Sequence, residues 1–177
     1  MKLVPQARAI KLSECSPGDF VRIKGSDREV KELLVLAISE GETTYLLLDE
    51  NYPETPFPVF KQTQDMSVLN YGSDWKLAPF GELLEKHNCF DSLGALILAG
   101  GEVYLLGEKV SGFQNRVMCD LNGHDILELD RHPKEFFGYP GWEIYVEDPT
   151  LGEKHILKTY NTFPKLLDAK SLSDHAS

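Results

Sequence analysis

Glycine-bearing reversals constrain this chain most, because each one decides which extended segments become neighbours. Gly100-Gly101 separates two apolar runs, 95–99 and 102–106, and Asn122-Gly123 separates 116–121 from 124–129. A two-residue reversal of this kind reads as a tight hairpin whose central residues take φ > 0, a conformation glycine and asparagine reach at low cost. A third hairpin joins 33–38 to 42–48 through Ser39, Glu40 and Gly41. It reads as a three-residue loop with Gly41 in the left-handed position. A fourth pairs 142–147 with 154–160 across 148–152, and 18–24 reads as an opening strand after Ser16-Pro17.

The turns set registers that can be tested. Across Gly100-Gly101, Leu98 faces Val103, Leu96 faces Leu105 and Ile97 faces Tyr104. Both faces are apolar, so this hairpin belongs in an interior. Across the Ser39 to Gly41 loop, Leu34 faces Leu46 and Val35 faces Tyr45. The two hairpins then superpose, 34–37 on 96–99 and 44–47 on 103–106. A duplicated β unit is one explanation, and the shared composition of buried hairpins is the other.

The chain is therefore expected to be all-β or β-dominated α+β, with antiparallel hairpins forming a small barrel or sandwich. One arrangement has two similar lobes, 1–78 and 92–163, joined by a short helical linker over 79–91, with a tail over 164–177. The rival is a single domain over 1–163 sharing one core. The linker helix is read from Pro79 at its opening, Glu82 early and Lys86-His87 late, where the helix dipole favours each sign. A short turn around Leu166-Leu167 is expected, with fraying beyond Lys170. The phrase from Pro17 to Ile23 resembles the entry strand of many small barrels, KOW and other SH3-like domains among them; its seven residues imply no function.

Charge and cysteine usage exclude some classes of partner. With Lys+Arg 18 against Asp+Glu 28 the net charge is -10, so neither nucleic acid nor an anionic membrane is an expected partner. Residues 1–31 are net basic, whereas 32–60 hold six carboxylates and no Lys or Arg. No apolar run approaches the ~20 residues of a membrane span. Only Leu3-Val4 separates Lys2 from Pro5, so no signal peptide is expected. Cys15, Cys89 and Cys119 are odd in number and scattered, which suits free thiols in the cytoplasm.

Motifs for catalysis are missing. His124 and Cys119 lie diagonally across the Asn122-Gly123 hairpin, roughly 7–8 Å apart, too far for thiolate activation. Cys119 therefore reads as a small core residue. Asp120 is expected directly opposite Asp125, and this like-charge pair needs relief from water, from Arg116 on the same strand or from a cation. The pair is a weak candidate metal site, lacking the remaining oxygen ligands. His87, His132, His155 and His175 share no ligand spacing, and no C-x-x-C, Walker A, G-x-S-x-G or G-x-G-x-x-G motif is present. No cofactor is expected.

Two aromatic stretches remain. Residues 136–145 hold five aromatics, and 52–60 hold three prolines and three aromatics and should be extended. From the first, Phe137, Tyr139, Trp142 and Tyr145 are candidate binding residues for an extended peptide; their alternative role is to cap the β core. The sequence thus suggests a non-enzymatic cytoplasmic interaction module with an acidic surface and an aromatic loop, taking a protein or peptide partner. An open sheet edge could also pair across a two-fold axis and make a homodimer. The alternative is an enzyme or small-ligand or cation-binding protein with a polar pocket around Asp120, Asp125, Arg116 and His124.

Overall fold

The computed structural model describes residues 7–24, 29–52, 56–63, 65–85, 89–110, 116–123, 125–129, 134–148 and 152–161. Two hairpins dominate it. β3 (Val30–Ser39) pairs with β4 (Glu42–Leu47), and β8 (Leu96–Ala99) pairs with β9 (Glu102–Lys109). β2 (Phe20–Lys24) lies against β3, and β5 (Pro58–Gln62) lies against β4. β1 (Arg8–Lys11) and β6 (Ser67–Asn70) extend that side. β10 (Arg116–Asp120) and β11 (Ile126–Glu128) extend the other, while β12 (Phe137–Tyr139) flanks β8. A separate three-stranded sheet holds β7 (Lys76–Phe80), β13 (Gly141–Glu147) and β14 (Lys154–Asn161), with β13 central.

The eleven-stranded sheet is continuous because β9 is shared. Its first half pairs with β8, and its last residues pair in parallel with β5, Pro58 opposite Glu108 and Val59 opposite Lys109. A Cβ at Gly107 would stand 2.9 Å from the Phe57 carbonyl oxygen, so this crossing needs a residue without a side chain. The path runs from β1 to β11 without closing. Of the two expected architectures, the layered one is found and the closed barrel is not.

The small sheet covers the large one. Trp142, Ile144, Leu157 and Tyr160 of the small sheet share a central cluster with Phe20, Leu34, Leu46, Leu96, Leu105 and Val117 of the large. That cluster draws on both 1–78 and 92–163. A satellite cluster with Leu12, Val21, Val35, Tyr45 and Leu47 lies on the far side of β3 and β4. A second, with Ile97, Tyr104, Leu106 and Met118, lies on the far side of β8 and β9. The sequence superposition extends to these layers: Leu34 and Leu96 face inward, as do Leu46 and Leu105, while Val35 and Ile97, and Tyr45 and Tyr104, face outward.

Registers agree with the sequence, and turn chemistry departs from it. Leu98 lies opposite Val103, and Cys119 lies opposite Ile126. Leu34 lies opposite Leu46, yet the loop is a two-residue turn at Glu40 (φ 48) and Gly41 (φ 80). A bulge between Val35 and Ala37 supplies the extra residue, which restores the register that a three-residue loop would have set. Around Asn122, the Asp120 carboxylate accepts the N–H groups of Asn122 and Gly123, each at 2.9 Å. Gly123 does not take the left-handed φ expected of it; a Cβ there would sit 2.5 Å from the Asp120 carboxylate.

The linker helix is not found over its first half. Pro79 and Phe80 close β7, and Leu84 forms an isolated bridge to Gly138. Extended pairing wins because it sets the half-buried Leu77 against the buried Ile144 and gives β7 a ladder along β13, while Pro79, opposite Trp142, stays exposed. Residues 86–88, His124 and the 162–177 tail lie outside the described residues, as do residues 53–55 of the proline-rich stretch.

Candidate functional site

One row of apolar side chains crosses β12, β8 and β9 at the hairpin end of the large sheet and reaches the turn after β10. Phe137 lies opposite Leu98, Leu98 lies opposite Val103, and the Leu121 N–H donates to the Val103 carbonyl at 2.8 Å. The next row inward, Tyr139, Leu96, Leu105 and Cys119, is covered by the small sheet, but the outer row is only partly covered. Phe137 is 62% exposed, and Leu98 and Val103 are half-buried. Across from this row stand Trp75, Leu77 and Pro79, and the walls enclose a cavity of about 440 Å3. That volume falls within the range of roughly 300–1,000 Å3 typical of ligand sites. A wider hollow of about 810 Å3 is lined by Leu98, Val103 and the Gly100-Gly101 tip together with Phe136 and Phe137.

A polar knot holds the Trp75 wall. Asp19, buried, accepts the Ser16 N–H at 2.9 Å and the Asn70 side-chain amide at 2.6 Å. Asn70 in turn accepts the Gly72 N–H. These bonds tie the turn at 16–19 to the segment leading into β7, and the Trp75 indole N–H donates to the Gly18 carbonyl at 2.7 Å. The adjacent Cys15 thiol is pushed up to about 11, by burial first and then by the Asp19 carboxylate. It stays protonated and unreactive at neutral pH.

The four aromatics expected to form one binding surface are split between surface and core. Phe137 is exposed, and Tyr139 is half-buried against the central cluster. Trp142 has no exposure at all. Its indole N–H donates to the Gly94 carbonyl at 2.7 Å, and its ring meets Tyr160 at 5.4 Å and Phe57 at 6.3 Å. Tyr145, also buried, lies on the opposite face of β13, with the Lys154 ammonium 4.1 Å from its ring centre. Residues three apart on a strand point to opposite faces, so Trp142 and Tyr145 cannot share one surface.

Of the expected polar pocket, Asp120, Asp125 and Arg116 are described and do not converge on one space, while His124 lies outside the described residues. Asp120 does face Asp125, through a 2.8 Å bond from the Asp120 N–H to the Asp125 carbonyl. The Asp120 carboxylate is engaged by the turn, and Asp125 accepts the Ile126 N–H. Arg116 points away, donating to the Phe90 carbonyl and to Asp91. Among the described residues no group of three or more His, Cys, Asp or Glu is placed to hold a metal ion. Cys119 is fully buried and its thiol is pushed up to about 12 by burial, as suits a core residue.

Trp75, Leu77 and Pro79 had no place in the sequence-based site. Their signal is present in the sequence, since a proline within an apolar alternation marks an edge strand, but Pro79 suits a helix opening equally well. No family model, curated protein or solved structure matches this chain.

Proposed function

We propose that this protein is a non-enzymatic binding module whose cleft between Leu98, Val103 and Leu121 on one wall and Trp75, Leu77 and Pro79 on the other takes apolar side chains of a protein or peptide partner. The supporting observation is the partly covered row that runs from the exposed Phe137 through the half-buried Leu98 and Val103 to Leu121 beside the cavity. Exposed contiguous apolar surface beside a cavity is costly to keep wet and gains free energy when a partner covers it. Phe137 keeps the recognition role expected from the sequence, at one end of that row, whereas Tyr139 packs on the central cluster. The net charge of -10 favours a basic partner over nucleic acid. Three buried free thiols suit a reducing compartment such as the cytoplasm.

The test is a methyl NMR titration with a nine-residue peptide alternating lysine with valine and leucine. Saturable shifts are expected at the methyls of Leu98, Val103 and Leu121, with none at Leu33 and Val35 in the far satellite cluster. Shifts absent from the cleft would overturn the reading.

A further inference from the structure

The small sheet ends at the mouth of this cleft, and its last strand leaves hydrogen-bonding groups there. β7 pairs antiparallel with β13, Pro79 opposite Trp142 and Leu77 opposite Ile144. Antiparallel pairs alternate between residues that exchange two hydrogen bonds and residues that exchange none. Proline has no N–H, so the Pro79–Trp142 pair is of the second kind. The ladder bonds therefore fall on Ala78 with Glu143 and on Phe80 with Gly141. Leu77 N–H, Leu77 C=O and Pro79 C=O point the other way, and among the described residues β7 pairs with no strand but β13.

The free edge and the cavity coincide. Leu77 and Pro79 share the inner face of their sheet with the fully buried Ile144 and Trp142, and both line the 440 Å3 space. A strand laid antiparallel along β7 would place the residues opposite Leu77 and Pro79 on that same inner face. Those residues would point straight at Leu98, Val103 and Leu121. The sandwich is short of one strand here, and the cavity is the volume that strand's inward side chains would fill.

We infer that this protein binds its partner by strand addition, an extended basic-apolar segment of another protein pairing with β7 through Leu77 and Pro79 and burying its alternate apolar side chains in the cleft. The inference rests on the binding function proposed above and supplies its mode. Charge complementarity selects the occupant. Asp74 precedes β7 and Glu82 follows it, both exposed, while the nearest cation, Lys76, is bonded to Glu147. A second copy of this chain would bring another net charge of -10 against the same rim.

Backbone N-methylation of the peptide tests the mode without altering the protein. In antiparallel pairing the apolar residues both face inward and donate to β7, so N-methyl groups on two central apolar residues should weaken binding about tenfold or more. N-methyl groups on two central lysines should change it less than about twofold, and the Leu77 amide should exchange more slowly with solvent when peptide is bound. If both methylated peptides bind equally well while the cleft methyls still shift, strand addition fails and side-chain capture stands. If no peptide shifts the cleft methyls, both fail. A concentration-dependent dimer that protects the Leu77 amide without peptide would assign the edge to a second copy and overturn the inference.

Discussion

The Arg22 guanidinium donates to the main-chain oxygen of Leu157 at 2.8 Å, a bond that ties the large sheet to the small one. The same guanidinium holds Glu32 at 2.8 Å and the Tyr71 hydroxyl at 3.0 Å, and Lys158 of β14 reaches Glu32 at 3.1 Å. Charge asymmetry in the sequence, a basic 1–31 beside an acidic 32–60, thus resolves in part into the Arg22–Glu32 cross-strand pair.

Removing Arg22 alone leaves Glu32 with one cation and Leu157 with an unmet carbonyl. Arg22→Met should cost about 2–4 kcal/mol in urea unfolding. Adding Glu32→Leu should recover part of that loss, because the unpaired carboxylate goes with it. Arg22→Lys should fall between, since an ammonium cannot reproduce the planar fork. A double variant no more stable than Arg22→Met would show that the pair is not coupled.

Gly94 and Gly100 both take positive φ, 81° and 61°, but only one is enclosed. A Cβ at Gly94 would stand 2.7 Å from the Tyr160 ring and nearer still to Phe57, whereas nothing lies within 4 Å at Gly100. Gly100→Ala should cost only the backbone preference, about 1–2 kcal/mol. Gly94→Ala adds overpacking of a rigid aromatic pair and should exceed it by about 1–3 kcal/mol. Equal melting temperatures for the two variants would contradict this packing.

The thiols give a pH dependence with a definite sign. Cys15 and Cys119 are raised from an ordinary 9.0 to about 11 and about 12, so the folded state holds these protons more tightly than the unfolded chain. Their contribution is fully present below about pH 9 and declines as pH rises toward the folded values. Urea midpoints should fall between about pH 9 and 11, and Cys119→Ala should flatten that slope. Iodoacetamide should label no cysteine in the native protein near pH 8 and all three in urea.

The two tryptophans should separate by accessibility. Trp142 is sealed and Trp75 borders the cleft, so acrylamide should quench Trp75 and spare Trp142. Trp142→Ala should cost about 3–5 kcal/mol. Trp75→Phe should leave folding nearly intact and remove the quenchable emission. Quenching that survives Trp75→Phe would contradict the burial of Trp142.

Features decided between near neighbours were legible before any coordinates. Leu98 opposite Val103 follows from the Gly100-Gly101 reversal and Asp120 opposite Asp125 from the Asn122-Gly123 one, because a short turn leaves few ways to pair its flanks. Even the Leu34–Leu46 pairing was legible, although a bulge at Leu36 produced it instead of the expected loop. The alternation of Trp142, Ile144 and Val146 against Glu143 and Glu147 was also visible, and it sets the first three inward, although Tyr145 on the other face is buried as well.

Contacts between distant segments were not legible. The choice for Trp142 between a binding residue and a cap on the β core is not made by its sequence neighbours, because nothing near it announces Gly94, Phe57 and Tyr160, which enclose it. Pro79 suits a helix start as well as an edge strand, and only β13 alongside it selects the strand. Local backbone sterics and side-chain alternation determined the hairpins and their faces from the sequence alone. Which faces were covered, and where a cleft was left between the sheets, depended on the packing of one sheet on another. That packing sums many weak apolar contacts between residues far apart in the chain, and no local pattern encodes it.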